Sequence, residues 1–177
     1  MKNISVAIII FISLMIALAG CSQEAEQPLN SNELRHFPLN SMEGIISQTG
    51  VSVDSKISND GKGSLRIKVK EPVTVRLLEV RDVDVEDSKL LYQARVRTKD
   101  FQGQVYLEMW VYLPGKGEFF SRNIHTPLSG TADWTTVVAP FFLKKGQNPD
   151  YVKLNLVMDG AGIAWIDDIR LVKGPLM

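Results

Sequence analysis

Beyond Gly50 the chain alternates apolar and polar residues with a period of two, and that period predicts strands rather than helices. In residues 63–70, Leu65, Ile67 and Val69 fall on one face while Arg66, Lys68 and Lys70 fall on the other. Asn59 to Gly63 before it is a dense turn signal. Val73 to Val80 is a second run, rich in β-branched residues and opened by Pro72. In Leu90 to Thr98, Tyr92, Ala94 and Val96 alternate with Gln93, Arg95 and Arg97. The clearest strand is Gln104 to Leu113, stopped by Pro114-Gly115-Lys116-Gly117. Trp134 to Val138, Val152 to Met158 and Ala164 to Val172 complete the series, separated by Gly/Pro/Asn/Asp clusters. No segment keeps a helical period for three turns, and only 39–45 and 87–91 suit a short helical turn. About eight short strands with frequent turns and no helix to cover a parallel sheet predict an all-β fold: a two-sheet antiparallel β-sandwich, for which a jelly roll fits the count.

The N-terminus has a different pattern. Lys2 precedes an almost wholly apolar run from Ile4 to Leu18, too short to span a bilayer and typical of a secretory signal. The run ends in Leu18-Ala19-Gly20-Cys21, and Cys21 is the only cysteine. These four residues resemble the lipobox of bacterial lipoproteins. That resemblance implies cleavage after Gly20, attachment of lipid to the Cys21 thiol with acylation of its new amino group, and palmitate-like chains anchoring the protein in a lipid bilayer. The run alone also suits an ordinary signal peptide with a chance cysteine, or an uncleaved anchor. Ser22 after the cysteine, rather than Asp, fits outer-membrane sorting, so the implied location is the bacterial cell envelope, facing the periplasm or the surface. Ser22 to Glu33 is polar and acidic with no apolar period, the composition of a tether. The chain therefore divides into a signal peptide (1–20), a lipidated cysteine and flexible tether (21–36), and one β-sandwich domain (37–174).

Removing residues 1–20 leaves 19 basic against 20 acidic residues, a near-neutral chain that gives no reason to expect nucleic acid as a partner. With Cys21 taken by lipid, no thiol remains for a disulfide, a redox motif or a nucleophile.

Four segments in order carry a second resemblance: Asn59-Asp-Gly-Lys-Gly-Ser-Leu-Arg-Ile67, Leu91-Tyr-Gln-Ala-Arg-Val-Arg97, Gly130-Thr-Ala-Asp-Trp134 and Trp165-Ile-Asp-Asp-Ile-Arg-Leu171. They resemble the galactose-binding-like β-sandwiches of carbohydrate-binding modules across residues 38–173. The resemblance implies glycan binding. It also implies a structural calcium ion near the sheet edge, for which Glu43 and Asp167 are the matching candidates. The alternation independently sets Trp165, Asp167, Ile169 and Leu171 on one face, so the Asp167 carboxylate needs a buried partner. A hard cation would serve, and so would backbone N–H groups or an arginine.

On the 104–113 strand Val105, Leu107, Met109, Val111 and Leu113 make an aliphatic face, while Tyr106, Glu108, Trp110 and Tyr112 make the other. Glu108 marks the second face as the wet one. If neighbouring strands stack as in the resembled fold, Arg95, Arg97, Lys153 and Asn155 share it. Phe119, Phe120 and Arg122 then form a rim, with one phenylalanine expected in the core. Aromatic platforms beside directional polar groups suit a saccharide. The same set would also serve as plain cross-strand pairing, or as a docking face for an envelope protein. Trp134 and Trp165 read as core or core-edge residues.

His36 and His125 are the only histidines, and no zinc spacing, phosphate loop or nucleophile elbow occurs. Adjacent Asp167 and Asp168 would point to opposite faces of a strand. The sequence therefore predicts a lipid-anchored, non-catalytic glycan-binding sandwich, with a structural or assembly lipoprotein as the alternative.

Overall fold

The computed structural model describes residues 32–176. They form eight strands: β1 Asn32–Phe37, β2 Val51–Asp54, β3 Ser64–Val69, β4 Val73–Arg81, β5 Ser88–Leu113, β6 Gly117–Arg122, β7 Leu128–Leu143 and β8 Tyr151–Gly174. The expected signal peptide, the expected lipidation site Cys21 and the expected tether up to residue 31 lie outside the described residues.

Two strands organise the rest. β5 and β8 have 26 and 24 residues, far beyond the usual five or six or so, and pair antiparallel from Lys89↔Gly174 to Tyr112↔Tyr151. Each joins two of the shorter strands expected from the alternation. The first half of β5 pairs with the second half of β8 and with β7, and the second half of β5 pairs with the first half of β8 and with β6. β4 adds to the first half of β8, while β3 and β1 add to its second half and β2 lies beyond β3. All pairing is antiparallel.

Between the halves the backbone bends at Asp100 (φ 49°) and Gly103 (φ 124°) on β5, and at Gly160 (φ 151°) and Gly162 (φ 145°) on β8. Gly103 and Gly160 are register partners, and their backbones abut. A Cβ on Gly103 would sit 2.0 Å from the Asp159 carbonyl oxygen, and one on Gly160 would sit 1.9 Å from that of Gln102. Only glycine fits this crossing, which lets one hydrogen-bonded sheet fold over into the two layers of a jelly-roll sandwich.

The bend also switches which residues face inward. Leu90, Tyr92, Ala94 and Val96 are buried before it, and Val105, Leu107, Met109 and Val111 after it. Both sets join one continuous core with β4 and β8, where each fully buried aliphatic side chain contributes about 1.5–3 kcal/mol. Tyr92 is the exception in kind: its hydroxyl is buried without a partner among the described residues, and desolvation pushes the phenol far above its ordinary pKa.

Three expectations change here. The segments 39–45 and 87–91 form turns, bends and strand rather than helix, with Asp87 in the left-handed region (φ 51°). The tether was expected to run to residue 36, but β1 already pairs with β8 from Asn32. A bulge between Glu33 and Arg35 hid this strand from the period-two pattern, because it lets Leu34 and Phe37, three apart, both pack against the core. The shared face expected for Trp165, Asp167, Ile169 and Leu171 is likewise broken by Asp168 (φ 50°) at an irregularity in the β5–β8 ladder. Ala164, Ile166, Ile169 and Leu171 join the core, while Trp165 is buried outside it under Arg66 and Arg97.

β1 is clasped at this place. Arg170 donates to Asp168 through Nε and Nη2 at 3.1 and 3.0 Å and to Glu33 at 2.7 Å, and His36 Nε2 lies 2.6 Å from Asp168 Oδ1. Partial burial alone would raise the Asp168 pKa, but the hydrogen bonds from Arg170 and His36 outweigh it and hold the carboxyl below its ordinary 3.8. A depressed folded pKa means stability that is complete above the unfolded value and lost as pH falls through the folded one. Asp168→Asn is therefore expected to lower the urea midpoint at pH 7 and to narrow its gap from wild type below pH 3.8. A gap that stays constant on acidification would remove the ionised clasp from the account.

Candidate functional site

The outer face of the layer made by β4, β6 and the adjoining halves of β8 and β5 is hollowed into a groove of about 580 Å³. Its floor follows from register, because residues paired across antiparallel strands stand side by side on one face. One row reads Arg76, Asn155, Glu108, Arg122. The next reads Glu79, Lys153, Trp110, Phe120, and a third reads Arg81, Tyr151, Tyr112, Glu118. On the β4 side the wall is the segment around Ile46, whose backbone N–H donates to Leu77 O at 3.1 Å, while Arg76 N–H donates to Ser47 Oγ at 2.9 Å. A bulge between Arg76 and Leu78 lets the consecutive Leu77 and Leu78 both be buried in the core, with Leu78 reaching the edge of the groove lining.

Glu108 holds the floor together. It is 3 % exposed, and Oε1 accepts from Trp110 Nε1 at 2.7 Å and from Asn155 Nδ2 at 3.0 Å, while Oε2 accepts from Arg122 Nε at 2.6 Å. A buried carboxylate demands such partners, and their geometry fixes the Trp110 ring in turn. The ring packs against Phe120 with centroids 5.1 Å apart, and Arg122 lies over Phe120 at 4.6 Å. At the other end Tyr112 and Tyr151 stack at 4.9 Å. Glu118 accepts from both Lys153 and Tyr151, and the Lys153 ammonium holds its carboxyl below the ordinary value while Glu118 raises the Lys153 pKa.

The expected binding residues divide. Glu108, Trp110, Arg122 and Asn155 line the groove together. Tyr112 lies on the same face but stacks on Tyr151, and Tyr106 stands beside Val157, beyond the groove lining. Arg95 and Arg97 belong to the other layer, because they precede the β5 bend. Arg95 donates to Asn59, Thr136 and the Trp134 carbonyl, and Arg97 faces Trp165 and Asp133. The expectation that one of Phe119 and Phe120 is core is also corrected: they are 45 % and 52 % exposed on β6, which among the described residues pairs with β5 alone. Arg76, Glu79 and Glu118 were not expected. For Arg76 the alternation Thr74, Val75, Arg76, Leu77 gave the signal, but which strand flanks β8 could not be read from it.

Asp167 is buried, and both of its oxygens accept backbone N–H groups, from Asn59 and from Asp168, each at 2.8 Å. Burial raises its pKa against those two hydrogen bonds. Glu43 is exposed and lines a separate hollow of about 350 Å³ with Phe37, Leu39 and Gly44. Among the described residues no three His, Cys, Asp or Glu side chains gather where they could hold an ion. The backbone thus answers the demand of Asp167, while Glu43 lines a different hollow. Chelator is accordingly expected to leave the melting temperature unchanged. A native-state ion at a hundredfold excess would contribute about 2.7 kcal/mol, and a clear downward shift would reveal it.

By sequence the chain matches no family model and no curated protein. By structure it is similar to the CBM22-1 xylan-binding domain of Paenibacillus barcinonensis Xyn10C, with TM-score 0.61 and 13% identity over 85% of this chain and 100% of that one. It is also similar to a family 16 carbohydrate-binding module, with TM-score 0.55 and 15% identity over 75% and 92% of the two chains. A third likeness is to TmCBM61 in complex with β-1,4-galactotriose, with TM-score 0.50 and 15% identity over 78% and 87%. The fold is that of carbohydrate-binding modules.

Proposed function

We propose that this protein is a lipid-anchored envelope lipoprotein that binds a glycan, without catalysis, in the groove floored by Trp110. The observation that carries the reading is the floor itself: an indole held by Glu108, half-exposed beside Phe120, with the polar groups of Asn155 and Arg122 at its edge. A fixed aromatic face receives the C–H side of a sugar, and hydrogen-bonding groups beside it read the hydroxyls. The shared fold with xylan- and galactotriose-binding modules supports the same reading. A screen of residues 22–177 against an array of plant, algal and bacterial polysaccharides tests it. Captured saccharide that protects Trp110 fluorescence from a quencher is expected.

A docking role for an envelope protein partner is the second reading, favoured by Phe119 and Phe120 standing exposed together on an edge strand. Binding of no glycan, with a partner protein lost on Phe120→Ala, would put it first.

The anchor rests on the lipobox resemblance. Cys21→Ser is expected to abolish labelling by a palmitate analogue in cells and to leave the precursor uncut, because no second thiol exists to take the lipid. Equal labelling of the variant would end the lipoprotein assignment.

A further inference from the structure

The hydrogen-bonding capacity of the groove is unevenly used. Its carboxylates are engaged: Glu108 by three donors, Glu118 by Lys153 and Tyr151, and Glu79 by Arg81 at 2.8 Å. Among its cations, Lys153 is held by Glu118, and Arg122 gives Nε to Glu108 but makes no hydrogen bond through its terminal amino groups among the described residues. Arg76 is different again. Its guanidinium has no hydrogen bond and no carboxylate within ion-pair distance among the described residues, although it is exposed on the groove lining. It stands at one end of the row Arg76, Asn155, Glu108, Arg122, three strand spacings or about 14 Å from Arg122 at the other. The unengaged charge along that row is therefore positive.

Resting on the glycan reading, we infer that the groove selects an anionic polysaccharide, with Arg76 receiving the carboxylate of a uronic acid or the oxygens of a sulfate ester. Guanidinium pairs with either anion through two parallel N–H donors, a fit that neutral hydroxyls do not match. Ile46, exposed on the groove lining that also holds Arg76, supplies apolar surface that weakens competition from water. The row Glu79, Lys153, Trp110, Phe120 beside it carries the ring contact, so charge and stacking occupy neighbouring rows.

The test uses the full-length protein and matched matrices: polygalacturonate against its fully methyl-esterified form, and sulfated against desulfated galactan. Retention of the acidic member of one pair over its neutral partner is expected, and which pair shows it distinguishes carboxylate from sulfate. Arg76→Gln is expected to weaken binding to that acidic member about tenfold or more and to leave any neutral binding unchanged. Lys68→Gln, the same loss of charge on β3 in the other layer, is expected to change neither. Arg76→Lys, which keeps the charge but not the fork, is expected to fall between. Equal retention of both members of each pair, or equal losses in Arg76→Gln and Lys68→Gln, would overturn the charge selection while leaving the glycan reading standing. Failure to bind any matrix or any arrayed glycan would overturn the glycan reading, and this inference with it.

Discussion

Gly160→Ala is expected to cost about 4 kcal/mol or more, enough to remove much of the stability of a domain this size. Two effects add. Gly160 has φ 151°, a region that side-chain-bearing residues reach only under strain, and its new methyl would lie 1.9 Å from the Gln102 carbonyl oxygen. The obstacle is backbone, not a movable side chain, so relief requires separating β5 from β8 where they cross. Gly146→Ala makes the comparison: it also has positive φ (77°), but its methyl would meet nothing within 4 Å. Its cost is expected to be about 1–2 kcal/mol. Urea midpoints of the two variants should differ widely, and equal midpoints would mean that the crossing tolerates a wider gap than its geometry implies.

Trp110→Ala is expected to abolish capture of the ligand while the domain remains folded. Truncating an aromatic anchor at the centre of a contact removes about 2 kcal/mol or more, roughly thirtyfold in affinity. Its structural cost is smaller, because Glu108 keeps the hydrogen bonds from Asn155 and Arg122 when the indole N–H is lost. About 1 kcal/mol of stability is expected to go with that one bond. Titration of the variant with the captured glycan, alongside circular dichroism, separates the two effects. Unchanged affinity in a folded variant would remove Trp110 from the site, and a collapsed fold would make the indole part of the core.

The strands were legible because burial on one face writes a period of two into the sequence, and the inward and outward sets of Gln104–Leu113 came out as the alternation implied. The period fails wherever the chain inserts an irregularity. Asp100 and Gly103 split β5 between layers, so Arg95 and Arg97 read as companions of Trp110 although the bend carries them elsewhere. Asp168 does the same to Asp167 and Ile169, and the bulge after Glu33 concealed β1. A left-handed aspartate leaves no signature distinguishable from an ordinary turn-former. Half of the groove was found because Glu108, Trp110, Asn155 and Arg122 sit in strands whose polar face the sequence marks. Arg76 and Glu79 come from β4, and its place beside β8 is decided by long-range pairing that local alternation does not encode.

The continuity of β8 has a mechanical meaning. A pull applied at the N-terminal side of the domain enters through β1, which grips β8 between Ile169 and Lys173. A bound polymer would load the other end of the same strand, at Lys153 and Asn155 on the groove floor. Tension between the two points passes along one unbroken covalent backbone rather than across a loop or an interface between layers. The grip itself is the weak point in such a line: five paired residues of β1 and the Arg170–Asp168 clasp would slip or peel before the groove lost its shape.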